Sequence, residues 1–343
     1  MTTTTSPAVC DPRRDQLAAW LRALPAELHI EPDTLQPASA DASFRRYFRV
    51  DAGGGTLIVM DAPPGKEDVG PFVRVAGLLR DAGLNAPRVI ESDAQQGFLL
   101  LSDLGRQTFL DVLNDDNAAE LFAEAAAALI RWQLATQQGA LPPYDEALLR
   151  RELALFPDWY VARHLGRSLT TAQRQILDDM FDRIVAVNLA QPSVFVHRDY
   201  MPRNLMVSTP SPGVIDFQDA VIGPVTYDLA SLFRDAFISW DEKRVIDWAI
   251  RYWEAARRAQ LPVGADFASY WRDFEWMGLQ RHLKVLGIFA RINYRDGKPH
   301  YLTDTPRFVG YVRAVARRYD ELAPLARLFD ELEGVGMQTG YTF

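Results

Sequence analysis

A single cysteine, Cys10, stands in 343 residues. One thiol excludes an internal disulfide and any cysteine-rich zinc site, and a reducing compartment is expected. No uncharged apolar run reaches the roughly 20 residues that a membrane-spanning helix needs; even "LFAEAAAALI" is interrupted by Glu124. The start "MTTTTSPAVCDPRRD" has no apolar core after a basic segment, so no signal peptide is expected. A basic surplus is missing as well. The formal net charge of −8 argues against nucleic acid as partner, because such binding rests on neutralising phosphates. Internal repeats and low-complexity linkers are absent. What remains is an ordinary globular composition, 48% hydrophobic and 24% charged. The expectation is a cytoplasmic enzyme or binding protein, with no nucleic acid and no membrane as partner.

The Thr-rich start precedes a helix that opens at Asp11-Pro12 and ends near Pro25, with Leu17, Trp20, Leu21 and Leu24 at helical spacing. Then "SFRRYFRV" and "GGGTLIVMDAPP" read as strands, "KEDVGPFVRVAGLLRDAGL" as a helix, and "APRVIES" and "GFLLLSDLG" as two more strands. After Leu101 the chain reads as mostly helical, except for short strands at "SVFV", "LMV" and "GVIDF". This predicts an α+β protein: a small mixed α/β lobe over residues 1–102 and a larger, mainly helical lobe over 103–343, with a hinge near Leu101–Gly105.

The chemistry concentrates in "FVHRDYMPRNLMV", Phe195–Val207. Four residues separate Asp199 from Asn204, and Asp216 follows twelve beyond Asn204 in "VIDFQD". The pattern resembles the catalytic loop and metal-binding aspartate of the bilobal protein-kinase-like fold. The physics is coherent. Asp199 orients an attacking hydroxyl and accepts its proton. Asn204 and Asp216 supply hard oxygen ligands to Mg2+, which bridges the phosphates of ATP. His197 reads as a structural residue beneath the loop rather than a base. Asp228, in "GPVTYDLAS", reads as a helix N-cap; the resemblance implies that it also bonds the loop backbone.

Only a dozen residues join Asp216 to Asp228. That is too few for a long activation segment. "IDFxxA…GP…YDLA" is instead similar to the aminoglycoside-phosphotransferase and choline-kinase branch, which phosphorylates small molecules. In "SADASFRRYFRV", Asp41, Ala42 and Ser43 form the expected nucleotide-covering turn with Phe44 at its end, and Tyr47 covers the adenine. The backbone of Ser102, Asp103 and Leu104 is expected at the adenine edge. The next strand has Met60 where a phosphate-pairing lysine is usual. Arg45 and Arg46, ahead of Lys66, are candidates for the missing charge.

Together, "SADASFRRYFRV", "MDAPPGKED", "HRDYMPRNLM", "IDFQDAVIGPVTYDLASLFRDAF" and "WMGLQRHLKVLGIFARINYRDGK" resemble the bacterial anomeric sugar kinases that act on N-acetylmuramate and N-acetylglucosamine, from about residue 13 to 330. The resemblance implies ATP-dependent phosphorylation of the C1 hydroxyl in cell-wall (peptidoglycan) recycling. An acidic sugar calls for arginines, which pair carboxylates bidentately. Arg203, Arg234, Arg281 and His282 are candidate substrate residues, with Asp219 for a sugar hydroxyl. Arg281, Lys284, Arg291 and Arg295 fall along one helical face, and Lys284 and Arg295 read as its solvated part. Trp240, Trp271 and Trp276 read as core. The alternatives are a kinase for an aminoglycoside, choline or homoserine, and a nucleotide-binding pseudokinase, which Met60 alone supports.

Overall fold

The computed structural model describes residues 11–39 and 44–334. Helix α1, Pro12–Ala23, begins as its sequence dictates: Asp11 accepts the Arg14 N–H and Pro12 takes the first helical position. Five strands follow: β1 Ile30–Ser39, β2 Arg46–Ala52, β3 Gly55–Asp61, β4 Val89–Asp93 and β5 Phe98–Ser102, with α2, Gly70–Asp81, between β3 and β4. They form one antiparallel sheet in the order β1-β2-β3-β5-β4. Strand β1 is an addition to the sequence reading. It carries Pro32 and Pro37, which suppress a strand signal, and it lies at the sheet edge, where proline is tolerated.

Alternation of side chains gives the sheet two apolar faces. Phe48, Val50, Val59, Phe98 and Leu100 pack with Leu17 and Leu21 of α1. Met60, Leu99 and Leu101 belong to the main core, together with Phe72, Val75 and Leu79 of α2. Burial from both sides explains why β5 reads as the unbroken apolar run "FLLL".

The remainder is mainly helical: α3 Phe109–Val112, α4 Ala118–Leu134, α5 Glu146–Leu153, a π-helical stretch Phe156–His164, and α6 Thr171–Leu189. Then come four short strands, β6 Ser193–Val196, β7 Leu205–Met206, β8 Gly213–Val214 and β9 Val221–Pro224, which pair as β6-β9 and β7-β8. Strand β9 was not foreseen from the sequence. The chain closes with α7 Tyr227–Phe233, α8 Glu242–Arg258, α9 Phe267–Asp296, α10 Thr305–Arg318 and α11 Ala323–Leu332. Helix α9 is the central post, in contact with α5, α6, α7, α10 and the π-helical stretch. It comes so close to that stretch that a Cβ on Gly287 would lie 2.4 Å from the Leu155 backbone. Among the described residues, no helix is long and apolar enough to cross a membrane.

Candidate active site

The β6-β9 pair ends at the loop that the sequence singled out. Asp228, fully buried in the first turn of α7, accepts the backbone N–H of His197 at 2.7 Å and of Arg198 at 2.9 Å. No N-cap bond from it is present; it serves the loop instead. Burial pushes its carboxyl up to about 7, opposed by those two N–H bonds. Arg198 takes a left-handed φ of 77°, which turns the chain toward Asp199.

His197 is structural. Its Nδ1 accepts the Asp199 N–H at 3.3 Å, so Nε2 carries the proton and donates to the Ile215 carbonyl at 3.1 Å. Burial lowers its pKa to about 4, and the ring stays neutral. It thereby ties the Asp199 loop to the segment that carries Asp216.

Asn204 donates its side-chain N–H to the Asp199 carbonyl at 2.9 Å, and the same nitrogen lies 3.4 Å from Asp216 Oδ2. Asp216 sits just after β8, again at a left-handed φ, 62°. Gln218 Nε2 donates to Asp216 Oδ1 at 2.9 Å and reaches Asp219 Oδ2 at 3.4 Å. The Asn204 nitrogen is taken up by the Asp199 carbonyl and faces Asp216, which leaves its amide oxygen as the atom that would meet a cation. That donor set, hard oxygens on two adjacent elements, suits a divalent cation such as Mg2+.

Asn204 and Asp216 line a cleft of about 510 Å³ under the sheet, together with Tyr47, Ile58, Leu101, Arg203 and Phe237. Ser102, Asp103 and Leu104 form its back edge. The Ser102 N–H is spent on the Arg88 carbonyl at 3.0 Å and is not available to a base. Asp103 is held by Arg49, by the Thr56 hydroxyl at 2.6 Å and by the Gly105 N–H at 2.9 Å. Arg49 is a cleft residue that the sequence reading missed. The covering-turn residues Asp41, Ala42 and Ser43 lie outside the described residues. Phe44, after the turn, is exposed, with the Lys66 ammonium 4.5 Å from its ring centre.

The missing lysine has a structural explanation. Met60 is fully buried in the main core, and α2 presents Phe72, Val75, Ala76 and Leu79 to that core, with no acid to pair a cation. Arg46 must be withdrawn as its replacement. It points to the opposite face of the sheet, where it and Arg13 neutralise the buried Asp61. Arg45 lies 3.9 Å from Glu67.

The candidate substrate residues separate into two groups. Arg203 lines the cleft, its guanidinium 4.9 Å from the Phe237 ring centre, and Asp219 is tied to the Asp216 segment through the Gln218 amide. Arg234, Arg281 and His282 are interior. Arg234 bonds Glu275 at 3.0 Å, and His282 stacks on Tyr311. Nη1 atoms of Arg234 and Arg281, both His282 ring nitrogens and Asp235 Oδ2 are buried without a hydrogen-bond partner. The basic stripe on α9 is not a solvated face throughout: Arg295 is exposed, but Lys284 is buried and bonded to Glu152 at 2.9 Å. Glu152 is a buried partner that the sequence reading lacks, although an acid beside Leu149 and Leu153 on the apolar stripe of a helix is itself a sign of one. Trp276 is core, and Trp240 and Trp271 pack against it.

Residues 34–270 match the phosphotransferase enzyme family. A relative from Pseudomonas aeruginosa, named N-acetylmuramate/N-acetylglucosamine kinase, is 54% identical over 94% of this chain and 97% of its own. One from Pseudomonas putida with the same name is 51% identical, over 94% and 97%. Among solved structures, an amicoumacin kinase in complex with AMP-PNP, Ca2+ and Ami superposes with a TM-score of 0.62 at 14% identity, covering 87% of this chain and 92% of that one. The last likeness shows the fold: α+β, of the protein-kinase-like type.

Proposed function

The chain belongs to the phosphotransferase enzyme family and is a sugar kinase, and on that premise we propose that it phosphorylates the anomeric C1 hydroxyl of N-acetylmuramate and N-acetylglucosamine with ATP. The product is the sugar 1-phosphate, made in the cytoplasm for peptidoglycan recycling. The names of its relatives support the two sugars. The observation that carries the reading within this chain is the arrangement of Asp199, Asn204 and Asp216 on one loop system locked by Asp228 and His197.

In this reading residues 1–102 cover the nucleotide and 103–343 carry catalysis. ATP lies in the cleft with its base toward Asp103 and Leu104 and its phosphates toward Asn204 and Asp216. Mg2+ held by those two residues supplies charge neutralisation on the phosphates when bound. Asp199 holds the sugar hydroxyl in line and accepts its proton as the phosphate arrives. An anomeric hydroxyl is more acidic than an ordinary alcohol, so the base has little to do. Positioning and charge neutralisation carry most of the acceleration. The absence of a lysine at position 60 fits a site that relies on the cation and on arginines for phosphate charge.

An ADP-release assay with the two sugars side by side tests this. Turnover with both, dependent on Mg2+, is expected; turnover with an aminoglycoside, choline or homoserine and with neither sugar contradicts it.

A further inference from the structure

Beside the catalytic loop lies a second charged group that the reaction as described does not use. Glu152 of α5 receives the Arg198 guanidinium, the Lys284 ammonium at 2.9 Å, the Tyr144 hydroxyl and the Gln280 amide at 3.2 Å. Burial opposes its ionisation, but Lys284 and Arg198 outweigh that and hold the carboxyl at about 2. Two cations therefore share one fixed anion. The next negative charge is Asp199, the chain neighbour of Arg198, and it acts electrostatically on both cations.

The layering is informative. The Glu152 side chain is 6% exposed, Lys284 10% and Arg198 19%, so all three are largely shielded from water and the anion is the most shielded. Donor capacity is left over. Lys284 uses two of its three N–H bonds, on Glu152 and on the Tyr227 hydroxyl at 3.0 Å. Arg198 Nε, a donor, is buried with no hydrogen-bond partner. Unpaired polar atoms are costly in an interior unless a ligand or water meets them. Two other buried cations are placed differently: Arg234 is paired with Glu275 through one Nη and Arg281 is 2% exposed, and each keeps an unpartnered Nη1.

We propose that Lys284 and Arg198, held in place by Glu152, form the subsite that reads the lactyl carboxylate of N-acetylmuramate, the group that N-acetylglucosamine lacks. This rests on the sugar-kinase reading above. A carboxylate entering beside Asp199 meets two cations whose geometry is already fixed, so little ordering remains to be done on binding. A neutral sugar gains nothing from them. Lys284, not the Arg281 that precedes it by one helical turn, is then the acid-specific residue of α9.

The test compares kcat and KM for both sugars at saturating ATP in the wild type, Lys284→Met and Lys284→Arg. In Lys284→Met the buried Glu152 keeps Arg198, Tyr144 and Gln280 as partners, so no anion is left unpaired. The expected result is a KM for N-acetylmuramate that rises at least about tenfold more than the KM for N-acetylglucosamine, with part of the loss recovered in Lys284→Arg. Equal losses on the two sugars overturn the proposal and leave the sugar-kinase reading standing. A wild type that turns over neither sugar overturns both. Activity on N-acetylglucosamine reports folding in the same sample; should Lys284→Met not fold, Lys284→Gln, which keeps a donor toward Glu152, is judged by the same ratio.

Discussion

Asp228 holds His197: a buried carboxylate on α7 accepts the backbone N–H of the first loop residue at 2.7 Å, and the same carboxylate takes the next N–H at 2.9 Å. The position of Asp199 is therefore set from below, by a residue 29 positions later in the chain. Asparagine in its place offers one acceptor and turns an N–H2 toward a backbone donor. At pH 8, where the native carboxyl is ionised, Asp228→Asn should lower stability by roughly 2 kcal/mol and kcat by more than about tenfold. Denaturant unfolding and initial rates on the same preparation measure both. An unchanged kcat contradicts the proposed support of the loop.

Asp199→Asn separates binding from chemistry. The variant loses the proton acceptor but keeps the backbone carbonyl that orients Asn204. The turnover number should fall by roughly 100-fold or more, with nucleotide affinity within about threefold of the wild type. Calorimetric titration with a non-hydrolysable ATP analogue checks the second half.

Met60→Lys installs the phosphate-pairing lysine that the resemblance leads one to expect on this strand, and it should fail. The position is fully buried among apolar residues, and α2 carries no acid toward it. Burying an unpaired ammonium there should cost about 3 kcal/mol or more of stability without raising kcat. A stable variant with faster turnover would show that the cleft had lacked a lysine.

His197 gives the pH dependence a sign. Its pKa is lowered to about 4 in the fold, by burial, so between about 6.5 and 4 the unfolded chain binds a proton that the folded one does not. Stability from this residue is present above that window and is lost as pH falls through it. Asp228, raised to about 7, works in the opposite direction. The difference between the wild type and His197→Gln removes that opposing contribution. The wild type's advantage over the variant should shrink by roughly 3 kcal/mol from pH 7.5 to pH 4; a constant difference contradicts a buried neutral ring.

The catalytic loop was legible because its logic is local. Asp199, Asn204 and Asp216 lie within 18 residues, and short strands with apolar triplets bracket them. What escaped the sequence was long-range pairing. Arg46 looks like a loop cation until the register sets it across from Asp61, with Arg13 arriving from α1. Lys284 looks like part of a solvated stripe until α5 and α7 close over it. Helical periodicity places residues on faces, but it does not say which neighbour covers each face. Strand β1 is hidden by Pro32 and Pro37, and β9 by Gly223-Pro224 at its end, a dipeptide that reads as a turn.

The central claim is transfer to the anomeric oxygen, and phosphorus NMR of the reaction product addresses it most directly. With N-acetylglucosamine as acceptor, where both C1 and C6 carry hydroxyls, the account predicts a phosphorus signal coupled to the anomeric proton, that of a sugar 1-phosphate. A signal coupled to the C6 methylene protons, that of a 6-phosphate, would contradict it.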